Sequence, residues 1–246
     1  MVYSRNDHPS IHENTYCDAA ATWSMTWTLA HSIGMLLVVG AALTLGDARP
    51  VAAFGAASLA VLVALRAGSW TPSGRFGVAN AVTALRVALI LVLAALPRIG
   101  PPASLLVVGI FALDGADGFL ARRTGTISSF GANFDMETDA LLVQVAVLRL
   151  AQAGRLGPWI LLPGLYRYLY AMASSVLSGS RGDAPRSRLG RYAFAVMVGS
   201  IALSLWPCEP IHGAVAMAAT ALVTVSFARS TWWSFFAVGA RTPKER

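Results

Sequence analysis

Charge is scarce in this sequence. Only 13% of its 246 residues are Asp, Glu, Lys or Arg, against about 25% in an ordinary soluble domain. With 56% hydrophobic residues and a mean hydropathy of +0.59, that scarcity excludes a conventional soluble domain and points to an integral membrane protein. Cysteine is nearly absent. Cys17 and Cys208 are the only two; the topology below puts them on opposite sides of a membrane, which argues against a disulfide, and a thiolate metal site has no support. The N-terminal residues do not read as a signal peptide either. The first 25 residues are polar and carry Arg5, Asp7, Glu13 and Asp18, whereas a signal peptide needs a basic start followed at once by an apolar core. The first hydrophobic span is expected to remain as an anchor. No internal repeat of about 20–50 residues is evident.

What is present is a series of apolar runs. Eight read as membrane-spanning helices, at roughly 27–46, 51–67, 80–97, 102–121, 132–153, 157–177, 190–206 and 211–229. The breaks between them carry turn residues: Gly46 and Pro50, Pro72 to Gly74, Pro101 and Pro102, Gly154 to Pro158, the polar stretch 178–188, and Pro207 to Pro210. Pro163 is expected to kink the sixth span. The fold class is therefore all-α and polytopic. The net charge of +7 is nearly all arginine, placed in short loops, which is the pattern of topology signals and anionic-lipid contact; nucleic acid is not an expected partner. One set of alternate segments holds Arg5, Arg66, Arg75, Arg122, Arg123, Arg181, Arg186, Arg188, Arg191, Arg229, Arg241, Lys244 and Arg246; the other holds Arg49, Arg98, Arg149 and Arg155. The richer set is expected to be cytoplasmic, with both termini.

Acidic residues are concentrated where they are least expected. Of the 12 in the chain, five fall in residues 114–139, between two apolar runs. Asp114 and Asp117 are three apart at the end of the fourth span, so a helix puts both on one face. Asp135 and Asp139 are four apart at the start of the fifth, on one stripe with Gly131. A tight turn between the two helices brings the pairs face to face. One such Asp alone is often a cap or a partner for a nearby Arg. Four at this spacing are not explained that way, because each charge at bilayer depth costs roughly 2.5–3.5 kcal/mol. Four converging carboxylates repel unless a cation joins them, and oxygen-only ligands select hard ions such as Mg²⁺, Mn²⁺ or Ca²⁺. Two ions would neutralise the cluster and clamp a phosphate in in-line displacement. Glu137 points away from the stripe and is read as a solvated or interfacial charge.

The run Asp114-x-x-Asp117-Gly118-x-x-Ala121-Arg122, eight further residues, then Gly131-x-x-x-Asp135-x-x-x-Asp139 resembles the signature of the CDP-alcohol phosphotransferases, also called CDP-alcohol phosphatidyltransferases. The resemblance implies a six-helix catalytic core with a cytoplasmic polar site, here over about residues 72–230. A segment 1–71 with two extra transmembrane helices precedes it, and a basic tail, 231–246, follows. The resemblance makes Asp114, Asp117, Asp135 and Asp139 ligands of two Mg²⁺ or Mn²⁺ ions, and Asp139 also the base that takes the proton of the attacking hydroxyl. Gly118, Ala121 and Gly131 would let a nucleotide approach the backbone, and Arg122 would meet phosphate.

A second stretch, "NAVTALR", resembles the family's Asn-x-x-Thr-x-x-Arg pattern, without the Pro that often precedes it. Asn80, Thr83 and Arg86 share one helix face and are assigned to donor binding; a helix cap at Asn80 and a snorkelling Arg86 are the structural alternatives. Arg167, inside the sixth span, and Arg188 and Arg191, opening the seventh, are candidates for acceptor binding; as a structural role, Arg167 would partner an Asp of the cluster. His31 and His212 are read as interfacial polar residues, and Tyr166, Tyr168 and Tyr170 as packing. The expected activity is transfer of a phosphatidyl group from CDP-diacylglycerol to an alcohol, with release of CMP, in an inner bacterial membrane; a polyol phosphate such as glycerol 3-phosphate is the leading acceptor. A homodimer is compatible with the sequence. The rival reading, a cation-coupled transporter using the Asp cluster as its ion site, predicts carboxylates at mid-bilayer and an inverted repeat.

Overall fold

A computed structural model describes the backbone of residues 11–177, 188–207 and 211–232, and side chains over 26–174, 189–207 and 211–232. The side chains of Cys17 and Arg188, and Cys208 with the tail beyond Trp232, lie outside these ranges. Among the described residues there are eight α-helices and no strand: α1 (Ile11–Leu45), α2 (Arg49–Leu65), α3 (Gly77–Ala95), α4 (Pro101–Thr124), α5 (Ser129–Gln152), α6 (Leu162–Leu177), α7 (Arg188–Leu205) and α8 (His212–Trp232). A 3₁₀ turn, Pro158–Leu161, leads into α6.

The protein is an integral membrane protein. Stretches of α1 (Thr26–Leu45), α3, α4 and α8 are long and apolar enough to cross a bilayer. Arg49–Leu65 and Leu189–Leu205 are apolar but shorter. α5 has the length, yet carries Asp135, Glu137 and Asp139 in its first half. Exposed Leu37, Leu65, Leu105 and Met217 face outward, as expected of side chains bathed in lipid.

Helix ends follow local chemistry. Proline stands in the first turn of α2 and α4, where its missing N–H costs nothing. α4 stops at Gly125, whose φ of 65° is left-handed and whose N–H bonds back to Ala121. Three residues later the Ser128 side chain caps α5 by accepting from the Gly131 N–H at 3.0 Å. These two ends make the connection between the acidic helices short. The sixth span departs from expectation. Residues 157–177 are not one kinked helix; the 3₁₀ turn takes up the first part, and Pro163 sits in the first turn of α6, where it needs no bend.

α5 is the central helix. Every residue from Leu141 to Leu148 is buried, so this stretch is enclosed on all faces. α3 packs on both α4 and α5, while α4 and α5 meet each other little. α7 packs on α4 and α8, and α6 on α5. The α1–α2 hairpin lies against α6 through α1 and against α3 and α5 through α2. Backbones come close where side chains are missing: a Cβ at Gly34 would fall 2.2 Å from Phe54, and one at Gly55 would fall 2.4 Å from Leu141. Small residues at helix crossings are how membrane bundles gain van der Waals contact.

Candidate active site

Because α3 wedges between the acidic helices, one of its side chains can reach both. That side chain is Arg86, with no solvent exposure. Its Nη1 lies 3.2 Å from Asp114 Oδ1, 3.0 Å from Asp117 Oδ2 and 2.6 Å from Asp135 Oδ1. Its Nη2 donates to Asp139 Oδ1. All four aspartates therefore converge on one guanidinium. Thr83, one turn earlier on α3, donates to the same Asp117 oxygen at 3.0 Å. Asp117 is the innermost carboxylate, and the side chains of Asp114, Asp135 and Asp139 keep 26%, 34% and 22% exposure. The cluster is closed below by α3 and open on one side.

Arg86 cannot neutralise this site alone. Four formal negative charges face one positive charge, so three remain unbalanced in a low-dielectric setting. One oxygen from each of Asp114, Asp135 and Asp139 lies within 4.8 Å of the others. Oxygens on opposite sides of a Mg²⁺ or Ca²⁺ ion are about 4–5 Å apart, given metal–oxygen distances of about 2.0–2.6 Å. Donor type, spacing and unbalanced charge all fit a divalent cation.

The other expected residues lie in more varied surroundings. Asn80 is buried, its amide donating to the carbonyls of Phe76 at 2.6 Å and Trp70 at 3.4 Å. It ties the loop before α3 to the helix. A Cβ on Gly131 would come within 3.0 Å of Asn80 Oδ1 and 3.2 Å of Ser128 Oγ, so glycine there first serves the junction of α3 with α5. A Cβ on Gly118 would meet Arg122 Nη1 at 3.4 Å; Arg122 is exposed and lies over that turn of α4. Ala121 is partly exposed beside it, and Arg191 is exposed near the start of α7.

Two residues differ from the sequence reading, Glu137 and Arg167. Glu137 is not solvated; it is 3% exposed and accepts from Arg167 Nη2. In a bundle, a residue off one stripe of a helix faces another helix, not water. Arg167 thereby pairs with Glu137 and not with an Asp of the cluster. His31 and His212, read as interfacial, are buried against neighbouring helices. The tyrosines pack: Tyr166 stacks on Phe227 at 4.8 Å and Tyr170 meets it edge-on at 6.0 Å, while Tyr168 is fully buried against His31.

The family model described as CDP-alcohol phosphatidyltransferase matches residues 76–234. The chain belongs to that family. The match takes in α3 to α8 and leaves α1 and α2 outside it. A CDP-diacylglycerol–glycerol-3-phosphate 3-phosphatidyltransferase of Pectobacterium atrosepticum is 31% identical over 173 residues, 66% of this chain and 92% of the relative. One of the same description from Yersinia enterocolitica is 31% identical over 149 residues, 57% of this chain and 79% of the relative. A probable phosphatidylglycerophosphate synthase of Mycobacterium tuberculosis is 35% identical over 115 residues, 46% and 55% respectively. No solved structure matches. This CDP-alcohol phosphatidyltransferase is an enzyme of phospholipid synthesis, and the transporter reading finds no support in its relatives.

Proposed function

We propose that the protein transfers the phosphatidyl group of CDP-diacylglycerol to glycerol 3-phosphate and releases CMP. The observation that carries the transfer chemistry is the convergence of Asp114, Asp117, Asp135 and Asp139 from two helices on one point. The names of the relatives supply the donor and the acceptor. The arginine bias supports a site facing the cytoplasm of a bacterial inner membrane. There the diacyl tails stay in the bilayer while the nucleotide reaches the open side of the cluster.

The four aspartates would hold Mg²⁺ or Mn²⁺, two ions in all, which when bound neutralise the carboxylates and draw charge from the phosphate under attack. Asp139 takes the proton from the acceptor hydroxyl as its oxygen forms a bond to the β-phosphorus; the bond from that phosphorus to the bridging oxygen breaks, and CMP leaves. Thr83 and Arg86 fix the carboxylates. Gly118, Ala121 and Arg122 form the wall assigned to the nucleotide, together with Asn80 and Gly131. Purified protein given CDP-diacylglycerol and a panel of alcohols should release CMP and form a phosphatidylglycerophosphate, read by lipid mass spectrometry. Efficient use of an unphosphorylated alcohol would overturn the acceptor, and no CMP release with any alcohol would overturn the transfer.

Arg167 and Arg191, with Arg188 beside the latter, are assigned to the acceptor phosphate. A guanidinium makes bidentate, charge-assisted bonds to a dianion. Loss of one such contact costs on the order of 1.5–3 kcal/mol. Arg167→Ala or Arg191→Ala should therefore raise the KM for glycerol 3-phosphate about ten- to a hundredfold while the KM for CDP-diacylglycerol changes little. Unchanged acceptor kinetics in both variants would remove the arginines from the site.

A further inference from the structure

The α1–α2 hairpin lies outside the family match, and the chemistry above gives it no task. Its seam with the core is apolar over most of its length: Met35, Val39 and Ala42 of α1 and Val51, Ala52 and Leu59 of α2 are buried. Near one end Gln152 Nε2 of α5 donates to the Ala42 carbonyl of α1 at 3.1 Å, and further along a chain of polar side chains crosses the seam. Ser58 Oγ of α2 hydrogen-bonds His31 Nδ1 of α1 at 2.8 Å. His31 Nε2 lies 3.9 Å from Glu137 Oε2 of α5. Glu137 Oε1 accepts from Arg167 Nη2 of α6. His31 and Glu137 are 4% and 3% exposed, and neither His31 Nε2 nor Glu137 Oε2 has a hydrogen-bond partner among the described residues.

Polar groups placed like this are costly unless they serve each other. The histidine is also held rigidly. Its ring stacks on Trp27 at 4.9 Å and on Phe54 at 6.3 Å, and Tyr168 meets it edge-on at 5.7 Å. Trp27 in turn donates its ring N–H to the Ser58 carbonyl at 3.2 Å. A ring clamped by three aromatic residues and a hydroxyl presents Nε2 in one direction, toward Glu137. Glu137 stands midway between Asp135 and Asp139 in sequence but on the other side of α5, so it joins the catalytic helix to Arg167. Arg167 is the partner with freedom left: its side chain is 22% exposed, and its Nε has no hydrogen-bond partner among the described residues.

We infer that His31 and Glu137 are positioning residues for Arg167, and that the α1–α2 hairpin thereby presets the acceptor side of the active site for a phosphorylated alcohol. The inference rests on the reading of Arg167 as a ligand of the acceptor phosphate. An arginine has several rotatable bonds to order when it binds an anion. Pinning one guanidinium nitrogen on a buried carboxylate that is itself backed by a rigid histidine completes most of that ordering before the acceptor arrives. The gain is in acceptor binding, not in the chemical step.

The test is steady-state kinetics on full-length protein in CDP-diacylglycerol micelles with glycerol 3-phosphate. His31→Ala and Glu137→Ala should each raise the acceptor KM about three- to tenfold, the effect expected for one side chain that must now be ordered on binding. The donor KM should stay within about twofold by the same reasoning. In an Arg167→Ala background neither change should raise the acceptor KM further, because the route runs through Arg167. Ser58→Ala, which frees the ring without removing an aromatic, should give a smaller rise in the same direction and serves if His31→Ala does not fold. A residue that merely supports the fold would move both KM values and the unfolding temperature together, and that outcome overturns the inference. So does a fall in acceptor KM for Glu137→Ala, which would make the carboxylate a competitor of the phosphate. If Arg167→Ala itself leaves the acceptor KM unchanged, the reading of Arg167 fails; if it raises KM while His31→Ala and Ser58→Ala do not, only the positioning role fails.

Discussion

Arg86→Met is expected to make the folded protein depend on divalent metal. Among the described residues Arg86 is the one cation in contact with all four aspartates, and it is fully buried. Methionine keeps an apolar stem of similar length and removes the charge. Breaking a buried ion pair by taking one partner away costs about 3–5 kcal/mol, because the other charge is left behind without compensation. For a chain of this size that corresponds to a fall of roughly 6–20 °C in apparent unfolding temperature. The loss should be seen in chelator and should be largely reversed by millimolar Mg²⁺, because a cation bound only to the folded state stabilises it. Wild-type protein, which carries its own cation, should shift less between the two conditions. Thermal unfolding in detergent, with and without chelator, measures both. A variant that unfolds with the wild type in chelator would show that Arg86 does not hold the cluster together.

The part of this site that could be read in the sequence is the part that lies on single helices. A spacing of three between Asp114 and Asp117, and of four between Asp135 and Asp139, becomes a shared face wherever the chain is helical. Gly125 and Ser128 mark the break between the two helices, and they end and cap them as such residues do. What could not be read is which helix lies between. Asn80, Thr83 and Arg86 fell on one face in sequence, but that face says nothing of its neighbour. Only the placement of α3 against both α4 and α5 puts Arg86 among carboxylates 28 to 53 positions away. A reading limited to α3 therefore assigns this arginine to the nucleotide, whereas both of its terminal nitrogens are engaged by aspartates. The place of Glu137 and the partner of His31 are hidden for a related reason. A charge off the catalytic stripe of a helix reads as facing water, and nothing in the sequence gives His31, near the start of the first span, a partner on α5. Yet the far side of α5 is covered by α6 and the hairpin. Where other helices cover the far side of the central one, polarity does not tell the outside from a second interior site.

Asp139→Asn is expected to abolish turnover while sparing the fold. The substitution keeps the shape of the side chain and an acceptor oxygen for Arg86, but the amide cannot take a proton at catalytic pH. General-base catalysis contributes about 10²–10⁴-fold to a rate, and kcat should fall by at least that much, since the same side chain also faces the candidate metal position. Asp117→Asn provides the contrast. Its carboxylate is the innermost, already engaged by Thr83 and Arg86, so its loss should act first through the geometry of the cluster. The metal concentration giving half-maximal rate should then rise for Asp117→Asn, with part of the activity recovered at high Mg²⁺. Asp139→Asn should stay inactive at any Mg²⁺ concentration, although CDP-diacylglycerol still binds, as read by protection against thermal unfolding. Wild-type enzyme should lose activity in excess chelator and regain it with Mg²⁺ or Mn²⁺. Full activity in chelator would remove the metal from the mechanism, whereas near-normal kcat for Asp139→Asn would remove only Asp139 as the base. The two arms therefore separate the charge that the aspartates supply together from the proton that one of them accepts.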